Sequence, residues 1–267
     1  KAFISKHKKN KMQKNYGISL LALTAILLIS CIASPPKKIH FWMIGDSTMC
    51  LYDSSRAPIT GWGMPFAGFF DSSVSVHNHA KGGRSTRTFL AEHRWQPITD
   101  SLAEGDYVFI QFGHNDEAKE EKYKDRYTPV EDYKNNLVKF ITESRAIKAT
   151  PILITPVSRM RFNSKGTALE THKEYSAAVW EVAGLHKVPV IDLDKKSREL
   201  IQQMGPQHAK LLFMQLDSLE HPHYPAGLKD NTHFNEYGAR RMAELVLADL
   251  QQINTHLAER INKPKKK

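Results

Sequence analysis

Residues Ile39–Met49 read IHFWMIGDSTM. The apolar run from Phe41 to Ile44 stops abruptly at Gly45-Asp46-Ser47. A buried strand that ends this way delivers a serine to the open end of a sheet. Gly45 permits a tight turn that a Cβ would resist. Ser47 then stands where a following helix would begin, with backbone N–H groups directed outward. A serine in that place is a candidate nucleophile, with a helix cap as the bland alternative. As a nucleophile it needs a base and an oxyanion site, which must come from elsewhere in the chain.

Three more apolar runs have the same character. Val74–His79 alternates like a half-buried strand, and Asp106–Phe112 and Pro151–Thr155 are fully apolar at their centres. A fourth, Val188–Leu193, is shorter in its apolar part. Between them lie helical patterns: Thr88–Leu102 with a break at Pro97, Val130–Ala149, Leu169–His186, Lys195–Met204 and the closing Tyr237–Leu257. Strands alternating with helices describe a parallel sheet covered on both faces, an α/β three-layer sandwich. Ligands of such sheets sit beyond the carboxyl ends of the strands.

The polar clusters fall at those ends. After the second strand comes Lys81-Gly82-Gly83-Arg84-Ser85-Thr86, a turn whose amides could hold an anion. After the third comes Gly113-His114-Asn115-Asp116. Asn115 can donate to a developing oxyanion or only stabilise its own turn. Glu117–Tyr127 is a highly charged excursion that reads as a solvated loop, and Pro206–Asp230 is irregular and rich in His and Pro. The latter segment is expected to form a lid or rim. Just before the last helix stands Asp230-Asn231-Thr232-His233. Asp and His three apart on one turn can share a side, so that Asp230 orients the imidazole and His233 faces a serine as base. Asp230 also reads as a loop-closing cap.

Composition removes several function classes. The net charge is +10, but Lys1, Lys6, Lys8, Lys9, Lys11 and Lys14 supply six and the tail lysines Lys263, Lys265, Lys266 and Lys267 supply four. The body is near neutral, which argues against a nucleic-acid face. His208, His221 and His223 do not form a closed ligand set with cysteines or clustered carboxylates, so no metal is expected. With two cysteines, Cys31 and Cys50, no disulfide framework is expected. The basic N-terminus, the apolar run Ile18–Ile29 and Leu28-Ile29-Ser30-Cys31 read as an export signal ending in a lipobox. On that reading residues 1–31 are a signal peptide, Cys31 carries lipid, residues 32–38 are a tether, residues 39–262 form the domain and residues 263–267 a basic tail. Membrane contact is then expected only through the lipid.

Taken together, Gly45-Asp46-Ser47, Gly83 within Gly-Gly-Arg-Ser, Gly113-His114-Asn115-Asp116 and Asp230-Asn231-Thr232-His233 resemble the four blocks of the SGNH, or GDSL, hydrolases. Within that family the chain is most similar to the rhamnogalacturonan acetylesterase-like branch. The resemblance implies a flavodoxin-like α/β/α fold without a cofactor, and an exported serine esterase, an outer-membrane lipoprotein if Cys31 is acylated. Ser47 would be nucleophile, His233 base and Asp230 its orienting partner. The oxyanion donors would be the N–H groups of Ser47 and Gly83 and the amide of Asn115. Gly83 is preferred to Gly82 because Arg84-Ser85 follow it. The expected partner is an acetylated plant polysaccharide, rhamnogalacturonan first. Acetylated xylan, a lipid or a thioester are the alternatives, and outside enzymes a glycan-binding lipoprotein on an idle scaffold. Trp62, between two glycines, reads as a sugar platform or as a packing residue. Arg84 is a candidate for a uronate carboxylate. His114 is a further candidate substrate contact that also reads as structural.

Overall fold

The computed structural model describes residues 38–253 and 255–262. The expected signal segment, the lipidated Cys31, the tether up to residue 37 and the tail 263–267 lie outside the described residues. Five strands form one parallel sheet: β1 (Ile39–Gly45), β2 (Val74–Asn78), β3 (Tyr107–Gln111), β4 (Thr150–Ile154) and β5 (Val190–Ile191). Their order is β2-β1-β3-β4-β5. The chain therefore runs first to one edge and then to the other, and the direction reverses between β1 and β3. This is the flavodoxin-like order, with its ligand crevice at that switch point.

Strand alternation sorts the side chains of β1 onto two faces. Phe41 and Met43 join Phe109, Ile152 and Ile154 in one core, closed by α4 (Leu193–His208) and α5 (Glu236–Ile253) through Ile201, Met242, Val246 and Leu250. Trp42 and Ile44 join Val108, Ile110 and Leu153 in the other. That side is closed by α1 (Thr86–Ala91), α2 (Val130–Ala146) and α3 (Lys173–His186) through Phe89, Leu137, Phe140 and Val179. Each fully buried side chain of this size contributes about 1.5–3 kcal/mol relative to exposure. The three-layer α/β/α sandwich expected from the sequence is the one observed.

Three local expectations change. The break in the first helical pattern falls at Glu92–Trp95 rather than at Pro97. Pro97 lies in the first turn of a separate helix, Gln96–Thr99, where its missing N–H has no intrahelical acceptor to lose. The third pattern begins at Lys173 rather than Leu169. Most consequentially, Pro206–Asp230 is not a lid. It holds β6 (Phe213–Leu216) and the start of β7 (Leu228–Phe234), an antiparallel pair apart from the main sheet. The connection between them docks through His223 Nδ1 on the Ala57 carbonyl at 2.9 Å and through the Tyr224 hydroxyl on Arg56.

Candidate active site

Ser47 follows β1 in a single turn that no helix continues. The Asp46 carbonyl accepts from the N–H groups of Met49 and Cys50, and there the turn ends. The expected helix N-terminus is replaced by a buried polar chain. Trp62 Nε1 donates to Gln111 Oε1 at 2.6 Å, and Gln111 Nε2 donates to Thr48 Oγ1 at 2.9 Å. Thr48 in turn donates from Oγ1 and from its backbone N–H to Asp46 Oδ1 at 2.7 and 2.9 Å. Burial raises the Asp46 carboxyl above its ordinary range, against the pull of those Thr48 bonds. The need for glycine at 45 is a close approach rather than a turn. A Cβ there would stand 2.5 Å from the Gln111 carbonyl oxygen on the neighbouring strand.

His233 and Asp230 come from β7. His233 Nε2 lies 2.9 Å from Ser47 Oγ, and His233 Nδ1 lies 2.6 Å from Asp230 Oδ2. In a regular strand, residues three apart point to opposite faces. Here Phe213 pairs with Phe234 and Gln215 with Lys229, so two steps on β6 span five on β7. The bulge absorbs Asp230–His233. Asp230 Oδ1 closes it by accepting from the N–H groups of Thr232 and His233, at 2.7 and 3.1 Å. Burial pushes the Asp230 carboxyl up, but the His233 ring and these two amides together hold it below its ordinary value. Asp230 is thus charged and faces the imidazole, not a helix turn as the spacing suggested.

Ser47 and Asn115 line one cleft, and Gly83 follows Gly82, which adjoins Ser47. The N–H groups of Ser47 and Gly83 meet no acceptor among the described residues. A Cβ on Gly82 would stand 3.7 Å from the Ser47 Cβ, so this glycine adjoins the nucleophile, and its N–H likewise meets no acceptor among the described residues. Gly83, with φ of +78°, follows in a conformation that favours glycine. Asn115 Nδ2 donates to the Arg84 carbonyl at 3.0 Å, which leaves its second amide hydrogen unused.

The expected substrate contacts fare less well. Trp62 is 0% exposed, so it is a core residue and not a sugar platform. The Arg84 guanidinium is held by Glu92 at 3.0 Å and by the Gly82 carbonyl, and it does not line the cleft. His114 is 5% exposed and donates Nε2–H to the Val157 carbonyl at 2.8 Å. Burial, with help from nearby His172 and Arg159, drives its basicity well down and keeps the ring neutral. It is held in place by that bond and lines the cleft beside Asn115.

A cleft of about 670 Å³ opens from Ser47, Asn115 and His233. Three arginines without a sequence-based role line it: Arg126, Arg159 and Arg161. Arg159, just after β4, donates to Thr232 Oγ1 at 2.7 Å and pairs with Glu117 at 3.3 Å, bracing the bulge. Arg126 comes from the charged excursion and donates to Asn115 Oδ1 at 2.7 Å. The only signal for Arg159 was its place at a strand's carboxyl end; for Arg126 there was none. Among the described residues no group of three or more His, Cys, Asp or Glu is placed to hold a metal ion.

The arrangement can transfer an acyl group: a hydroxyl, a base with a charged partner, and donors for an oxyanion lie within one crevice. A family model described as the GDSL-like lipase/acylhydrolase family matches residues 43–241. The chain is 39% identical over 226 residues to the rhamnogalacturonan acetylesterase RhgT of Bacillus subtilis, covering 84% of this chain and 95% of that one. It is 34% identical over 226 residues to the probable rhamnogalacturonan acetylesterase YesY of the same organism, covering 84% and 98%. The solved structure of YxiM, also from Bacillus subtilis, superposes with a TM-score of 0.69 at 27% identity, covering 82% of this chain and 58% of that chain.

Proposed function

The chain belongs to the GDSL-like lipase/acylhydrolase family, and from that premise we propose that it deacetylates a plant cell-wall polysaccharide, acetylated rhamnogalacturonan in particular. It is a carboxylic ester hydrolase, and the observation that carries the mechanism is the Ser47 Oγ–His233 Nε2–Asp230 alignment. Ser47 Oγ attacks the acetyl carbonyl while His233 Nε2 takes its proton. The carbonyl oxygen becomes an oxyanion and receives hydrogen bonds from the N–H groups of Ser47 and Gly83 and the free amide hydrogen of Asn115. Collapse breaks the C–O bond to the sugar, and His233 returns the proton to the departing sugar oxygen. A water then attacks acetyl-Ser47, giving its proton to His233, and acetate leaves as Ser47 recovers a proton. Asp230 stays ionised throughout and stabilises the imidazolium.

The substrate assignment rests on similarity to two proteins named for rhamnogalacturonan over nearly their whole lengths. It is tested by acetate release from acetylated rhamnogalacturonan, acetylated xylan and p-nitrophenyl acetate, for wild type and Ser47→Ala. Release from the pectic polymer that Ser47→Ala abolishes is the expected result. Cleavage of the small ester alone would retain the mechanism and remove the substrate.

Export and lipidation at Cys31 complete the reading, supported by the basic-then-apolar N-terminus and Leu28-Ile29-Ser30-Cys31. Metabolic labelling with a fatty acid should mark the wild-type chain and not Cys31→Ser; a chain unlabelled in both forms would sink the anchor.

A further inference from the structure

Asn115 is useful as an oxyanion donor only if its amide nitrogen, and not its oxygen, faces the reacting carbonyl. A primary amide is nearly symmetric in shape, so packing alone sets this weakly, whereas hydrogen bonding sets it firmly. Two neighbours decide it here. The Arg84 carbonyl can only accept, and it lies 3.0 Å from Asn115 Nδ2. The Arg126 guanidinium can only donate, and its Nη1 lies 2.7 Å from Asn115 Oδ1. A flipped amide would set oxygen against oxygen and N–H against N–H.

Resting on the esterase reading, we propose that Arg126 is a positioning residue of the oxyanion hole, acting through Asn115. The charge-assisted bond to Oδ1 fixes the rotamer and polarises the amide, which makes the remaining Nδ2–H a stronger donor. Arg126 is committed to this place. Its guanidinium stacks over the Tyr123 ring, 4.1 Å from the centroid, and its backbone N–H donates to the Tyr123 carbonyl. The loop that carries it is tied at its far end by the Thr128 N–H on the Asp116 carbonyl, at 2.9 Å, beside Asn115. Arg84 and Arg159 are both paired with glutamates, whereas Arg126 has no carboxylate within ion-pair distance among the described residues. Its Nη1 also stands 3.7 Å from where a Cβ of Gly83 would be, so the positive charge borders a second oxyanion donor. The charged excursion thus completes the hole rather than merely solvating the surface.

The test compares Arg126→Ala, Arg126→Lys, Asn115→Ala and the Arg126→Ala/Asn115→Ala double variant on uncharged p-nitrophenyl acetate and on the acetylated polymer. Arg126→Ala should lower kcat about tenfold on both substrates with KM little changed, less than the ~10²–10³ of losing a donor outright. Arg126→Lys should recover part of the loss. In the Asn115→Ala background, removing Arg126 should cost less than about twofold, because the two act as a unit. Fully additive losses would overturn the proposal, as would a rise in KM confined to the acidic polymer, which would make Arg126 a contact for substrate carboxylate. A second readout needs no turnover: the side-chain amide NMR signals of Asn115 should move on Arg126→Ala while the rest of the spectrum stays folded. Unmoved signals would also overturn it. A wild type inactive on every ester would dismiss the esterase reading, while the amide signals would still decide the Arg126 contact.

Discussion

At the scale of single residues, the chemistry rests on which atom of Asp230 meets which partner. Oδ2 faces His233 Nδ1, whereas Oδ1 holds two backbone amides. Asp230→Asn can keep the backbone contacts through its oxygen but places an N–H donor against Nδ1. The ring then carries its proton on Nε2 and cannot accept from Ser47. Asp230→Asn should therefore lose at least about 10³-fold in kcat with an unchanged melting temperature. Asp230→Ala should lose comparable activity and also melt lower, because two bulge amides lose their acceptor. A melting loss equal in both variants would contradict this division. Ser47, Asp230 and His233 were legible because nucleophile, base and orienter must be a particular kind of residue. Trp62 and Arg84 misled for one shared reason: their types suit both binding and support, and only burial and partners separate the two, whereas His114 does line the cleft. Trp62 ends a buried chain to Asp46, Arg84 is spent on Glu92, and His114 is bound to the Val157 carbonyl.

At the scale of elements, apolar runs were sound guides and irregular pieces were not. β1, β3 and β4 are buried on both faces, so hydrophobicity alone marks them. β6 and β7 escaped notice because β7 reads Leu228-Lys229-Asp230-Asn231-Thr232-His233-Phe234, almost wholly polar. Its strand identity comes from pairing with β6, a non-local contact that no window of sequence contains. The bulge in β7 has the same origin. Four residues, Asp230–His233, stand where the partner strand has only Met214, and they include the base and its orienter. The helix expected to begin at Ser47 is absent, and the turn is held from below by the Gln111–Thr48–Asp46 chain instead of being continued along the backbone.

At the scale of the whole molecule, the site stands over a buried layer of titratable groups. Asp116 is enclosed, accepting from the Thr86 backbone N–H and hydroxyl at 2.9 and 2.6 Å. Burial, against those bonds, raises its carboxyl from 3.8 to about 7. Below pH about 4 the group is protonated in both folded and unfolded chains and costs nothing. Between about 4 and 7 the unfolded chain releases the proton while the fold retains it, so this group erodes stability as pH rises, and above about 7 the cost is constant. Relative to wild type, Asp116→Asn should gain stability across that window in denaturant titrations; parallel curves for the two proteins would refute the assignment. The sequence by itself determined the layered α/β architecture, the strand ends as the place of the cleft and the three side chains, Ser47, Asp230 and His233, that the fold aligns. These follow from local periodicity and from the few residue types able to perform acyl transfer. Tertiary structure alone decided that Arg126 reaches Asn115, that Trp62 lies beneath the nucleophile and that a bulge aims His233 at Ser47. Those depend on which distant segments share a neighbourhood, and the composition of a segment does not specify its neighbours.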